Sequence, residues 1–362
     1  MRIAFDYQIF SAQKNGGISR YFCNLIKSLN NDKDITIDIP ISNYENEYLK
    51  EIENLLNIKN LKKSNFNFFK SDTDANYNIT KHFLNSQKFD VLHATYYDDY
   101  FLNLVQKKPF VITIHDMIYE AFPEFFSPKD NLAQLKKSLA QKANKIIVVS
   151  ESTKKDLLKF IKIDEQKIDV IPLASSFSID NIVKHTPRGK YLLYVGNRSI
   201  YKNFYFMLSS IRDLLKDHQN LKLICFGSDF DKKEKAFLQN LQIEDKIELV
   251  KGDDDTLIDL YKNALALVFP SYYEGFGIPI VEAFSCGCPV ISSTSKSLME
   301  VAHNAAIYFD PKNNKEIQDV IEKVINDENL RKNLTKMGFE RNKTFSWEKT
   351  AQQTKQTYQS IS

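Results

Sequence analysis

The 362 residues carry 49 basic and 46 acidic side chains for a formal net charge of +3, with 43% hydrophobic and 26% charged residues. That balance describes an ordinary globular protein, and so even a charge excludes a general nucleic-acid binder. The length exceeds what one hydrophobic core organises, so two domains of about 150 to 200 residues are expected, with a cleft between them.

The chain opens on Met-Arg-Ile-Ala-Phe-Asp, a short strand and not the long apolar core of a secretory signal. Apolar runs such as residues 146–149 and 265–269 fall far short of the roughly 20 residues needed to cross a bilayer. A cytoplasmic protein is expected, with any membrane contact peripheral and on the inner face of the cell membrane. Residues 2–5, 91–94, 110–115 and 145–149 are apolar runs separated by helical stretches, the pattern of a parallel sheet covered on both faces. Residues 175–189, with Pro187, Gly189 and little periodicity, read as a linker. A second series of strands follows at 191–195, 222–226, 247–250, 266–269 and 289–292, and the chain ends in a helix that Ser346 is placed to cap. The spacing predicts an α/β protein of two doubly wound domains, with ligands outside the carboxyl ends of the strands.

Four cysteines, Cys23, Cys225, Cys286 and Cys288, are too few and too unevenly spaced for a disulfide framework, and reduced thiols are expected. Cys286-Gly287-Cys288 lacks the second pair of ligands a metal site requires.

The most informative stretch runs from Phe269 to Ile291. A buried strand ends near Pro270, a loop carries Glu274, Gly275 and Gly277, and a helix starts close to Pro279. Free amides and the positive end of the helix dipole make such a start an anion site, and the glycines allow a diphosphate close to the backbone. Glu274 and Glu282 flank the turn, and a carboxylate accepts two hydrogen bonds from vicinal hydroxyls. Favourable charge near a helix start would place acidic residues there as well. A second group follows the first strand of the second domain: Val195-Gly-Asn-Arg-Ser-Ile-Tyr-Lys-Asn, in which Arg198 and Lys202 would neutralise a departing nucleotide without a metal ion. In the first domain, Gly16 and Gly17 would expose amides to a phosphate or sugar, and His115 closes a strand where a sugar hydroxyl would lie. The acidic run Asp253-Asp-Asp255 would suit a divalent metal in another class of sugar transferases, but its position before an amphipathic helix fits capping.

Together these motifs resemble glycosyltransferase family 4. The likeness extends from the Gly16-Gly17-Ile18-x-Arg20-Tyr21 turn and the strand-end His115-Asp116 through residues 149–157 and 170–175 to the 194–204 loop and the 274–291 stretch. The E-x7-E spacing of Glu274 and Glu282 is its most specific part. The resemblance implies the GT-B fold: a Rossmann-like acceptor-binding domain (1–175), a linker (176–189), a Rossmann-like donor-binding domain (190–345) and a C-terminal helix (346–362) crossing back to the first. It implies a retaining, metal-independent hexosyltransferase with no cofactor, acting on a nucleotide-diphosphate sugar and a saccharide or lipid-linked saccharide acceptor in surface polysaccharide or O-antigen synthesis. GDP-mannose is the first expectation for the donor, from the form of the 194–204 loop.

Under that resemblance Glu282 holds the donor ribose, Glu274 lies beside the transferred sugar, Arg198 and Lys202 bind the diphosphate, Gly16 and Gly17 approach it, and His115 contacts the sugar. Asn197, Gly227, Gly275, Phe276, Gly277 and Ile278 complete the donor contacts, and the family's arginine role stays open between Asn197 and Arg198. The chain departs from the family at Met299, where proline is frequent, and at His303, where glycine is usual. A nucleotide-sugar epimerase and a non-catalytic nucleotide-sugar binder are the alternatives on the same architecture. Residues 62–70, Lys-Lys-Ser-Asn-Phe-Asn-Phe-Phe-Lys, mix cations with aromatics as a membrane-docking loop would, or as a variable surface loop would.

Overall fold

The computed structural model describes residues 1–55 and 72–362, so the 62–70 segment lies outside the described residues. The chain divides into two compact units, one of residues 1–173 with 346–362 and one of residues 174–345.

In the first unit, six strands among the described residues form one parallel sheet: β1 (Arg2–Phe5), β2 (Thr36–Asp38), β3 (Val91–Ala94), β4 (Phe110–Ile114), β5 (Lys145–Val148) and β6 (Ile168–Val170), in the order β2-β1-β3-β4-β5-β6. Every residue of β3 and β4 is buried, as expected of strands covered on both faces. The Gly17–Leu29 helix buries Phe22, Leu25, Ile26 and Leu29, an i, i+3, i+4, i+7 stripe whose burial contributes about 1.5 to 3 kcal/mol per large side chain.

The Trp347–Gln359 helix belongs to this unit, and Ser346 caps it by accepting from Lys349 N at 3.2 Å. Thr350 donates to Pro172 O at 2.8 Å, Thr357 to Asp169 Oδ2 at 2.7 Å, and the Tyr358 hydroxyl lies 2.6 Å from His93 Nδ1. These bonds fix the helix against β3 and β6.

The second unit holds β7 (Lys190–Val195), β8 (Leu221–Phe226), β9 (Ile247–Val250), β10 (Ala266–Phe269), β11 (Val290–Ser293) and β12 (Ala306–Phe309), all parallel, in the order β12-β11-β10-β7-β8-β9. The Phe204–Asp217 helix packs Phe204, Met207, Leu208, Ile211, Leu214 and Leu215 into the core of this sheet. The chain runs from β7 outward through β8 and β9, then returns to the other side of β7 to make β10. Neighbouring strands β7 and β10 therefore send their connections in opposite directions, and the crevice this opens at their carboxyl ends is where doubly wound sheets bind ligands.

Residues 174–189, expected to be mostly linker, group with the second unit. The buried Asp259 anchors them: Thr186 N donates to Oδ2 at 3.1 Å, Arg188 Nη1 to the same oxygen at 3.2 Å, and His185 Nδ1 lies 2.9 Å from Oδ1. Among the described residues, no helix is long and apolar enough to cross a membrane.

Candidate active site

The loops leaving β7 and β10 meet at the switch point. Tyr272 N donates to Tyr201 O at 2.8 Å, so the two loops are stitched backbone to backbone. Beside that bond, Lys202 Nζ lies 2.6 Å from Glu274 Oε1, with both side chains about one-seventh exposed (16% and 14%). The ammonium also stands 5.6 Å from the ring centroid of Phe269 at the end of β10. Glu274 is held from behind by Ser297, whose hydroxyl donates to its backbone carbonyl at 2.6 Å.

The short Ile278–Ser285 helix starts at this loop. Gly277 caps it with φ of +102°, and a Cβ there would stand 2.5 Å from Leu298 Cδ2, so glycine meets both the backbone and the packing requirement. Gly275 and Phe276 are buried in the loop, and Phe276 packs edge-on against Phe345 at 5.8 Å. Proline in the first helical turn gives up an amide that would have no partner there. Glu282 points into the unit and is 4% exposed, and Tyr261 donates to its Oε2 at 3.0 Å. Burial and the Glu282 carboxylate together hold the Tyr261 phenol far above its usual range, so it stays a donor.

Arg198 turns inward, whereas the loop was expected to present it beside Lys202. Its side chain is 3% exposed, Nε donates to Glu234 Oε1 at 2.6 Å, and Nη2 donates to Glu234 Oε2 and to the carbonyls of Ser228 and Asp229. The guanidinium lies over Phe230 at 4.6 Å. Burial opposes its charge, but the Glu234 hydrogen bond and the Glu234 charge, with smaller contributions from Cys225 and Tyr194, together hold its pKa above the ordinary value. Asn197 is exposed, with Oδ1 accepting from Ser199. Gly227 has φ of +155°, and a Cβ there would meet Gly196 O at 3.0 Å, so the loop after β8 abuts the loop after β7.

In the first unit, Gly16 and Gly17 open the Gly17–Leu29 helix, with Gly17 exposed. A Cβ at Gly16 would meet Gln13 Oε1 at 2.2 Å, while one at Gly17 would meet nothing within 4 Å among the described residues. His115 follows β4 and sets its ring edge-on to Tyr21 at 5.0 Å, with Nε2 buried and without a hydrogen-bond partner among the described residues. Burial lowers its pKa to about 4, so at neutral pH the imidazole is uncharged.

Several residues that shape these sites belong to none of the sequence motifs. Glu234 left a trace as the Asp231-x-x-Glu234 capping box, which the structure forms with both bonds. Tyr261, His93 and Ser297 left none, because a single hydroxyl or imidazole within an apolar pattern carries no spacing. His93 is fully buried between Tyr358 and Thr113, and burial pulls its pKa to about 3. Asp253 caps the Asp254–Asn263 helix by accepting from Thr256 N at 3.0 Å. Where the family favours glycine, His303 adopts φ of +49°.

Residues 15–174 match Glycosyltransferase Family 4, and residues 176–341 match the glycosyl transferases group 1. The chain is 30% identical over 266 residues to the O-antigen chain mannosyltransferase B of Escherichia coli, covering 68% of this chain and 69% of that protein. It is 29% identical over 214 residues to the O-antigen chain mannosyltransferase RfbU of Salmonella typhimurium, a match that takes in 59% of this chain and 60% of that protein's length. In fold it is similar to Anabaena HepE, solved in complex with UDP and glucose, at a TM-score of 0.75 and 17% identity over the whole of both chains. Two matched families in tandem, two doubly wound units and a relative matched along most of its length agree: the chain belongs to glycosyltransferase family 4 and has the two-domain α/β GT-B fold.

Proposed function

We propose that the protein moves a hexose, mannose from GDP-mannose first among the donors, from a nucleotide-diphosphate sugar to a saccharide or lipid-linked saccharide acceptor, with retention of configuration and without a metal ion or cofactor. The reading is carried by the meeting of Lys202 and Glu274 at the β7–β10 switch point, beside the start of the Ile278–Ser285 helix. A fixed cation and the positive end of the helix dipole suit the charge that grows on a departing diphosphate. Glu274 would lie beside the hexose, and Glu282, oriented by Tyr261, would accept the ribose hydroxyls.

In the proposed step the acceptor oxygen bonds the anomeric carbon as the carbon–phosphate oxygen bond breaks on the same face. The leaving phosphate oxygen takes the hydroxyl proton, so no side-chain nucleophile is needed. A neutral His115 can share a hydrogen bond with a sugar hydroxyl. The names of the E. coli and Salmonella relatives support a mannosyl donor and an O-antigen setting, and a cytoplasmic enzyme touching the membrane from its inner face would suit a lipid-linked acceptor.

A thermal-shift panel of GDP, UDP, dTDP and ADP sugars tests the donor, since a ligand that binds only the folded form raises its melting temperature. Product analysis with and without acceptor and chelator tests the reaction. A sugar nucleotide epimerised with no acceptor present, or transfer lost to chelator and restored by manganese, overturns the proposal.

A further inference from the structure

Arg198 and Glu234 form a buried ion pair beneath the loops of the donor site, and no donor contact proposed above uses Glu234. One carboxylate serves three segments. Glu234 Oε1 and Oε2 take the Arg198 fork from the loop after β7, and Oε2 also accepts from Asp231 N at 2.7 Å at the start of the Lys232–Leu241 helix. Through Arg198 Nη2 it reaches the Ser228 and Asp229 carbonyls of the loop after β8, at 2.9 and 2.8 Å. Beside each other, the two loops approach closely: Gly196 N donates to Phe226 O at 3.2 Å, and a Cβ at residue 227 would stand 3.0 Å from Gly196 O.

The pair is a costly way to hold a fold together. The side chains are 3% and 8% exposed, and Arg198 Nη1 is buried without a hydrogen-bond partner among the described residues. Packed hydrocarbon of similar volume commonly matches or exceeds the stability of a buried ion pair, and an unpaired buried donor weakens it further. What the ion pair supplies and hydrocarbon does not is direction: bonds that admit one register of the two loops. The loop so fixed goes on to carry Lys202.

We propose that Glu234 is a positioning residue for the sugar-nucleotide donor, acting through Arg198 to hold the loop after β7 against the loop after β8 so that Lys202 meets the diphosphate. The inference rests on the donor reading above and adds a residue to it.

The test compares wild type with Glu234→Gln and with the double variant Arg198→Met/Glu234→Leu, which replaces the pair by hydrocarbon. Thermal unfolding, affinity for GDP, UDP, dTDP and ADP, and donor KM and kcat are measured. The double variant is expected to melt within about 3 °C of wild type, while donor kcat/KM falls at least about tenfold, the loss that follows when Lys202 no longer meets the charge growing on the diphosphate. A role in stability alone would lower the melting point and leave kcat/KM unmoved. Wild-type kcat/KM in a folded double variant overturns the proposal; should that variant not fold, an unchanged kcat/KM in Glu234→Gln does so. A wild type that binds none of the four diphosphates overturns the donor reading itself, and this inference with it.

Discussion

Lys202 Nζ and Glu274 Oε1, 2.6 Å apart, join the loops that leave two adjacent parallel strands in opposite directions. Both side chains keep some exposure, so solvent screens the attraction and the pair adds at most about 1 kcal/mol to stability. Lys202→Ala and Glu274→Gln are each expected to lower transfer by about 100-fold or more with a melting temperature close to wild type. Steady-state rates and melting curves on the same preparations check this. Full activity in both variants removes the site assignment.

Tyr261 and Glu282 behave differently because both are buried. Tyr261→Phe strips the carboxylate of its 3.0 Å donor and is expected to cost about 1 to 3 kcal/mol of stability. It should also weaken donor binding, by loosening the carboxylate proposed to hold the ribose. Urea unfolding and a donor titration give the two readouts, and a donor KM equal to wild type separates Glu282 from the ribose.

His303 holds φ of +49° and ψ of −126°, a conformation that only glycine adopts without strain. His303→Gly is expected to stabilise the protein by about 1 kcal/mol, a rise of about 2 to 4 °C in melting temperature for a unit of this size. The Tyr308 hydroxyl donates to the backbone carbonyl of His303, which the substitution preserves. A lower melting temperature would show that the imidazole does more for the fold than its strained backbone costs.

Acid should weaken the first unit. Burial lowers the pKa of His115 to about 4 and that of His93 to about 3, against about 6.5 in the unfolded chain. The unfolded state therefore binds more protons below pH 6.5, and stability rises with pH across that window. The contribution is complete above about pH 6.5 and is lost as pH falls toward the folded values. Urea midpoints between pH 7.5 and 4.5 should decline, and His115→Phe, which keeps an aromatic edge against Tyr21, should flatten part of the decline. An identical slope in that variant would refute the assignment.

Much of the fold could be read from residue order because the central strands are uniformly apolar. Phe110-Val-Ile-Thr-Ile114 and Ala266-Leu-Val-Phe269 are buried throughout, and short runs of this kind between turn residues fit strands covered on both faces. Three edge strands were not legible, whereas the fourth, Ile247–Val250, was. Thr36-Ile-Asp38 and Ile168-Asp-Val170 are three residues long and partly polar, and they are strands because a neighbour supplies the ladder. Ala306-Ile-Tyr-Phe309 follows a turn built on His303, so the glycine that would mark its start is missing.

The chain's own order determined which chemistry it carries: two glutamates eight residues apart about a glycine-flanked helix start, a lysine in a strand-end loop, and aspartate and serine caps that bond within one turn of themselves. Local hydrogen bonds and hydrophobic periods act over a few residues, so they are visible in a linear string. Only the tertiary structure decided partnership. Lys202 meets a carboxylate 72 residues away because β10 returns beside β7, and Arg198 is taken by one 36 residues away because β8 lies on the other side. Strand order places both cations, and no local propensity encodes strand order.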